Sequence, residues 1–196
     1  MQTLAKPLLR PLSVAGAVPQ FFEMIKKKKF PSASFVSMTE LVLPNDTNTL
    51  NSLMGGRLMH WMDIVSAISA QRHSNCMVVT ASVDNISFKR PIRLGNVVTL
   101  KANVTRAFNT SMEVRIQVEA EDIPSGKKFD SNSAYFTFVA LDHAGNKIEV
   151  PEIVPETPEE LALYEGALQR RQLRLILSNR MNPRDANELK SIFDIK

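Results

Sequence analysis

In "NTLNSLMGGRLMHWMDIVSAISAQRH", residues 48–73, one carboxylate, Asp63, stands inside an apolar helical pattern. Leu58, Met59, Met62, Val65 and Ile68 recur at helical spacing, and Trp61, Ile64 and Ala67 fill much of the remaining surface. Burying a lone carboxylate among such neighbours is expensive, so the acid needs a partner or a task. Two helical turns earlier, Gly55 and Gly56 open the same helix. Glycines there let a ligand approach free backbone N–H groups that favour negative charge. A carboxylate two turns from an anion-stabilising terminus is half of a hydrolytic site. His60 lies three positions before Asp63, so a shared acid–base pair is a second geometric option.

The rest of the chain offers little competing chemistry. It has no G-x-S-x-G elbow, no phosphate-binding P-loop, no paired Cys-x-x-Cys and no H-E-x-x-H, and His60, His73 and His143 lack ligand spacing, so no metal site is expected. The single cysteine, Cys76, excludes an internal disulfide and reads as a small buried hydrophobe suited to a reducing, cytoplasmic setting. A formal charge of +4 and a pI near 9.3 favour polyanions, including phosphates on a small ligand. With aromatics at 7% and no base-reading motif, nucleic acid is not the expected partner. No apolar run reaches the roughly 18 residues of a membrane span. Lys6 and Arg10 stand in an acid-poor N-terminal segment, but Pro7, Pro11 and Pro19 interrupt any signal-peptide core, and the run Lys26 to Lys29 reads as a solvated flank.

An α+β layer must position the acid. "SFVSMTELVL" (34–43) alternates as a strand and "PNDTNTLNS" is a loop. After the helix come β-rich runs at 77–90, 96–108, 111–122 and 127–142. Leu94-Gly95-Asn96, Asn109-Thr110 and Pro124-Ser125-Gly126 are short enough to join consecutive antiparallel neighbours. Thr157, Pro158, Glu159 and Glu160 then open a C-terminal helix that ends with Arg170, Arg171 and Arg174. The expected organisation is an extension over 1–33, a core domain over 34–150 and a helical extension over 151–196.

Four blocks in order, "DTNTLNSLMGGRLMHWMD" (46–63), "VVTASVDNISFKRPIRLGN" (78–96), "SMEVRIQVEAED" (111–122) and "VPETPEE" (154–160), resemble the hotdog-fold acyl-CoA thioesterases, in particular their cytosolic acyl-CoA hydrolase branch. The resemblance spans about residues 34–175. It implies a long central helix wrapped by an antiparallel sheet, protomers paired with active sites at their interface, and assembly as a trimer of dimers. It also implies an acyl-CoA substrate, with coenzyme A as part of that substrate and no separate cofactor.

The resemblance places the catalytic carboxylate on Asp63 and the oxyanion-binding amide on Gly56, beside Gly55. Many relatives carry Gly at the position of Asn51 and a polar residue at that of Ser52, so either could be the second catalytic polar residue. Lys89 and Arg90 fall near the nucleotide entrance, Arg57 and Arg93 are further cations for the phosphates, and Thr80 and Ser82 line the pantetheine channel. A thiolate leaving group needs no strong general acid, so one carboxylate and one oxyanion site suffice, by water activation or by direct attack. A hydratase using His60 with Asp63, or a non-catalytic acyl-CoA-binding protein, are the competing readings. Release of free thiol separates hydrolysis from both.

Overall fold

Alternation in the β-rich runs closes one five-stranded antiparallel sheet around a single long helix. The computed structural model describes residues 28–84, 86, 88 and 90–191; Lys26, Lys27 and Lys89 lie outside them. In chain order the elements are β1 (Lys28–Lys29), β2 (Val36–Leu41), α1 (Gly55–Ser74), β3 (Met77–Val83), β4 (Val97–Ala107), β5 (Ser111–Asp122), β6 (Lys127–Leu141), β7 (Glu152–Ile153), α2 (Pro158–Leu177) and α3 (Asn187–Lys190). The sheet order is β2-β4-β5-β6-β3, and β1 pairs in parallel with β7.

Every second residue of the central strands faces α1. Val98, Leu100, Ala102 and Val104 of β4, Val114, Ile116 and Val118 of β5, and Phe136 and Phe138 of β6 are buried against Leu58, Trp61, Met62 and Val65 of the helix. Each large side chain buried there contributes roughly 1.5–3 kcal/mol. The opposite flank of α1 is open: Met59, Ile64 and Ile68 are 37–40% exposed, and Met77 and Val79 on the neighbouring edge strand β3 are 48% and 47% exposed.

One expected connection is corrected. Leu94-Gly95-Asn96 does not join β3 to β4, because β3 pairs with β6 at the sheet edge while β4 lies between β2 and β5. Residues 90–96 instead lie beside the start of α1, where Leu53 N–H donates to Ile92 O, and the tight turn, with Gly95 at φ +82°, bonds back to the 42–52 segment through Gly95 N–H to Val42 O and Leu94 N–H to Asn51 O. The other two turns do close hairpins, β4–β5 and β5–β6.

Lys29 is a structural cation. Its ammonium donates to the carbonyls of Arg72 (2.9 Å) and His73 (2.7 Å) at the negative end of α1, which Asn75 closes in the left-handed conformation (φ 54°). Lys28 pairs with Glu152 at 3.6 Å on the surface. At the other end of the chain, Thr157 and Glu160 form the reciprocal N-terminal cap of α2 expected from "TPEE". Helix α2 lies on the sheet's outer face, where Arg106 packs over Tyr164 and Arg170 over Tyr135. Among the described residues no helix is long and apolar enough to cross a membrane.

Candidate active site

Met54, an apolar residue, occupies the N-cap of α1 and gives no side-chain cap. The Arg57 and Leu58 N–H groups both donate to Met54 O, so the amides of Gly55 and Gly56 are left at the positive terminus without an intrahelical acceptor. A Cβ on Gly56 would meet nothing within 4 Å, so the terminus is open there. At Gly55 the aromatic ring of Phe88 closes in, 3.2 Å from where a Cβ would sit.

Two turns along, Asp63 is half-buried, and its Oδ1 accepts a hydrogen bond of 2.8 Å from the Thr80 hydroxyl on β3. That places Thr80 on the acid, and no described hydrogen bond joins Asp63 to His60. The Asp63 Oδ2 has no protein partner among the described residues. Next to Thr80 the β3–β6 register slips, so that Thr80 pairs with Phe138 and Ser82 with Thr137. Such a bulge re-aims side chains on an edge strand. Ser82 is half-buried on the same strand.

A cavity of about 370 Å³ opens at the helix start, with Asn48, Ser52, Gly55, Phe88, Arg90 and Asn132 among its walls. Sequence reasoning passed over Asn48, which sits in a run of turn formers. Its Oδ1 accepts from Leu50 N–H (2.9 Å) and Ser52 N–H (3.2 Å), a bond pattern only the amide oxygen can make, so its NH₂ is turned the other way as a donor. The local signal was there: an Asn two and four residues before the amides it caps is an Asx turn. Asn51, by contrast, is exposed in the left-handed region (φ 54°) and bonds through its backbone, accepting from Leu94 N–H and donating to Asn48 O. Ser52 lines the cavity and pairs across to Arg93.

The candidate cations divide by what already holds them. Arg57 Nε donates to Asp46 at 2.7 Å and its guanidinium lies over Trp61. Asp46 is buried and also accepts from Leu43 N–H, so this pair anchors the loop that leads into α1. Arg93 Nη1 donates to Leu50 O (3.1 Å) and Ser52 Oγ (3.3 Å), stapling the same loop. Arg90 is exposed at the cavity mouth, its guanidinium 6.0 Å from the centre of the Phe129 ring. Lys89 lies outside the described residues.

Residues 50–127 match the thioesterase superfamily model. The chain is 42% identical over 142 residues to the acyl-CoA thioester hydrolase YkhA of Bacillus subtilis, covering 72% of this chain and 83% of that one. It is 40% identical over 156 residues to mouse acyl-coenzyme A thioesterase 11, but there it spans only 26% of the relative's length. Among solved structures, a hexameric acyl-CoA thioesterase superposes with a TM-score of 0.75 at 35% identity, covering 78% of this chain and 97% of that one. An acyl-CoA hydrolase from Staphylococcus aureus, solved with butyryl coenzyme A and coenzyme A, superposes at 0.72 with 36% identity, covering 78% and 95%. Variants of that hydrolase with alanine in place of an Asn, an Asp and a Thr have also been solved.

Proposed function

The chain belongs to the acyl-CoA thioesterases of the thioesterase superfamily, and on that premise we propose that it hydrolyses acyl-CoA to a free acid and coenzyme A. The observation that carries this reading is the Asp63 carboxylate, held by Thr80, on the same helix face as the open amide terminus at Gly55 and Gly56. In the S. aureus hydrolase the three residues replaced by alanine are an Asn, an Asp and a Thr, fifteen and then seventeen positions apart. Asn48, Asp63 and Thr80 have the same types, order and separations.

Asp63 Oδ2 takes the proton of a water that attacks the thioester carbon, while Thr80 fixes the other oxygen and hence the direction of the free one. The oxyanion that forms is stabilised by the Gly56 amide at the helix terminus, with the Asn48 NH₂ as a second donor. Coenzyme A leaves as a thiolate of pKa about 8.5, so no strong acid is needed. Arg90 is the cation best placed for the nucleotide phosphates. The hydratase reading wants a His–acid pair, and among the described residues no hydrogen bond joins His60 to Asp63.

One protomer is half of this arrangement. Seven residues separate Gly56 from Asp63, which is about 10 Å of helix rise on one face, whereas groups acting on one carbonyl must lie about 3–3.5 Å from it. A two-fold dimer resolves the distance by setting the Asp63–Thr80 pair of one protomer against the Asn48–Gly56 donors of its partner. The open stripe of Met59, Ile64, Ile68, Met77 and Val79, beside the unpaired edge of β3, is the surface for it. Three such dimers would form a hexamer, the assembly of the superposed hexameric thioesterase. No separate cofactor is required, and the expected setting is the cytoplasm. Thiol release from a chain-length series of acyl-CoA substrates, run with sedimentation of the same sample, tests the reading; an active monomer, or an acyl-CoA-binding protein that releases no thiol, would overturn it.

A further inference from the structure

Glu113 lies in the outward-facing register of β5, where a solvated carboxylate would be ordinary, yet it is fully buried. Helix α2 covers it. Arg170 grips it from Nε (3.1 and 3.2 Å) and Nη2 (2.8 Å), Thr105 donates to it at 2.9 Å, and Arg174 Nη1 reaches its other oxygen at 3.0 Å. The same Arg174 nitrogen donates to both oxygens of Asp84, at 3.1 and 2.9 Å. Two carboxylates and two guanidinium groups thus form one neutral, mostly buried cluster.

Buried ion clusters of this kind are poor sources of net stability, because desolvation offsets their attraction. Their geometric effect is sharper. Asp84 is the residue immediately after β3, its N–H donates to Tyr135 O, and burial pushes its carboxyl above the usual range while Arg174 draws it back. Strand β3 is an edge strand with a bulge at Ala81, so beyond the bulge its far end is laddered on one side only, by Ser82 against Thr137 and Val83 against Phe136 of β6. On one side of Asp84 lies Thr80, the partner of the acid; on the other the chain runs to Phe88 and Arg90, which wall the cavity at the helix start.

We propose that Arg174 is a positioning residue: through Asp84, and braced by Glu113 and Arg170, the C-terminal helix fixes the end of β3 and with it the cavity wall and the orientation of the catalytic pair. This rests on the hydrolase reading for its consequence in activity, but not for the mechanical coupling itself.

Asp84→Asn tests it most cleanly, since it keeps shape and leaves Glu113 with both arginines; Arg174→Met and Arg174→Lys complete the set. Hydrogen exchange without substrate is expected to quicken about tenfold or more over residues 80–84 and 90–92 in Asp84→Asn and Arg174→Met, while the middle of α2 around Ala167 keeps its protection. With acyl-CoA, kcat/KM should fall about tenfold, mainly through KM, as small misplacements of binding groups cost that much or more, and Arg174→Lys should recover part of it. Arg115→Ala, which breaks the exposed pair with Glu159 on α2, should change neither readout. Wild-type exchange over 80–84 and 90–92 with unchanged KM in Asp84→Asn overturns the proposal, as does an equal effect from Arg115→Ala. If Arg174→Met does not fold, Asp84→Asn decides alone. Altered exchange in a protein that releases no thiol from any acyl-CoA would uphold the coupling and refute the hydrolase reading.

Discussion

The hydroxyl of Thr80, on an edge strand, donates to one oxygen of Asp63, seventeen residues earlier on the central helix, and leaves the other oxygen without a hydrogen-bond partner among the described residues. A hydrogen bond to a charged group contributes about 1.5–3 kcal/mol. Thr80→Val should therefore lower kcat at least about tenfold with little change in KM, and Thr80→Ser should restore most of it. Steady-state kinetics on both variants check this; a wild-type kcat in Thr80→Val would show that the hydroxyl plays no part.

Asn48 and Asn51 should behave oppositely. Asn48→Ala removes an oriented donor from the cavity, and kcat is expected to drop about 10²-fold, as for an oxyanion donor, with a small loss of melting temperature from the freed Leu50 and Ser52 amides. Asn51→Gly suits the left-handed backbone and should leave kcat and melting temperature near wild type. Near-wild-type kcat in Asn48→Ala would remove Asn48 from the oxyanion site.

Arg90→Glu should raise KM for acyl-CoA more than it lowers kcat, and added salt should weaken the wild-type enzyme in the same direction. Arg57→Met is expected to do the reverse, lowering the melting temperature by removing the partner of buried Asp46 while KM stays put. An unchanged KM in Arg90→Glu would leave that arginine a surface charge.

His73 is buried in α1 and its Nε2 bonds to Pro151 O at 2.7 Å. Burial holds its pKa below the usual 6.5, against the pull of that bond and with help from the Lys29 ammonium. The unfolded chain therefore takes up this proton first as pH falls. Its stabilising contribution is complete above about 6.5 and is lost as pH drops through the folded value. The melting temperature should fall as the pH drops below about 6.5, and His73→Gln should flatten that slope; parallel curves for the two proteins would show that another group titrates.

Much of this was legible in the sequence. The apolar periodicity gave α1, alternation gave the long strands, though the run expected over 77–90 is a strand only to Val83 and the two-residue strands β1 and β7 carry no such signal, and an acid in an apolar helix pointed to Asp63. The hairpin partners β4–β5 and β5–β6 were legible from their turns, but the partner of β3 was not, because it pairs with β6 across a separation that no local signal encodes. Arg57 and Arg93 looked like ligands for phosphate since their partners, Asp46 and the Leu50–Ser52 turn, are folded against them only in three dimensions. Glu113 reads as an ordinary outward position of an alternating strand, and only the docking of α2 buries it. Asn48 was hidden because a turn-forming run has the same composition whether or not one amide in it faces a cavity.

The most direct test of the account is Asp63→Asn, assayed together for thiol release, melting temperature and acyl-CoA affinity. The amide keeps the size of the side chain and an oxygen for the Thr80 hydroxyl, but it takes no proton from water. Loss of a general base typically costs 10²–10⁴-fold, so turnover should fall by at least about 10²-fold while binding persists and the melting temperature holds or rises. Near-wild-type turnover with intact binding would contradict the account and return Asp63 to a structural role.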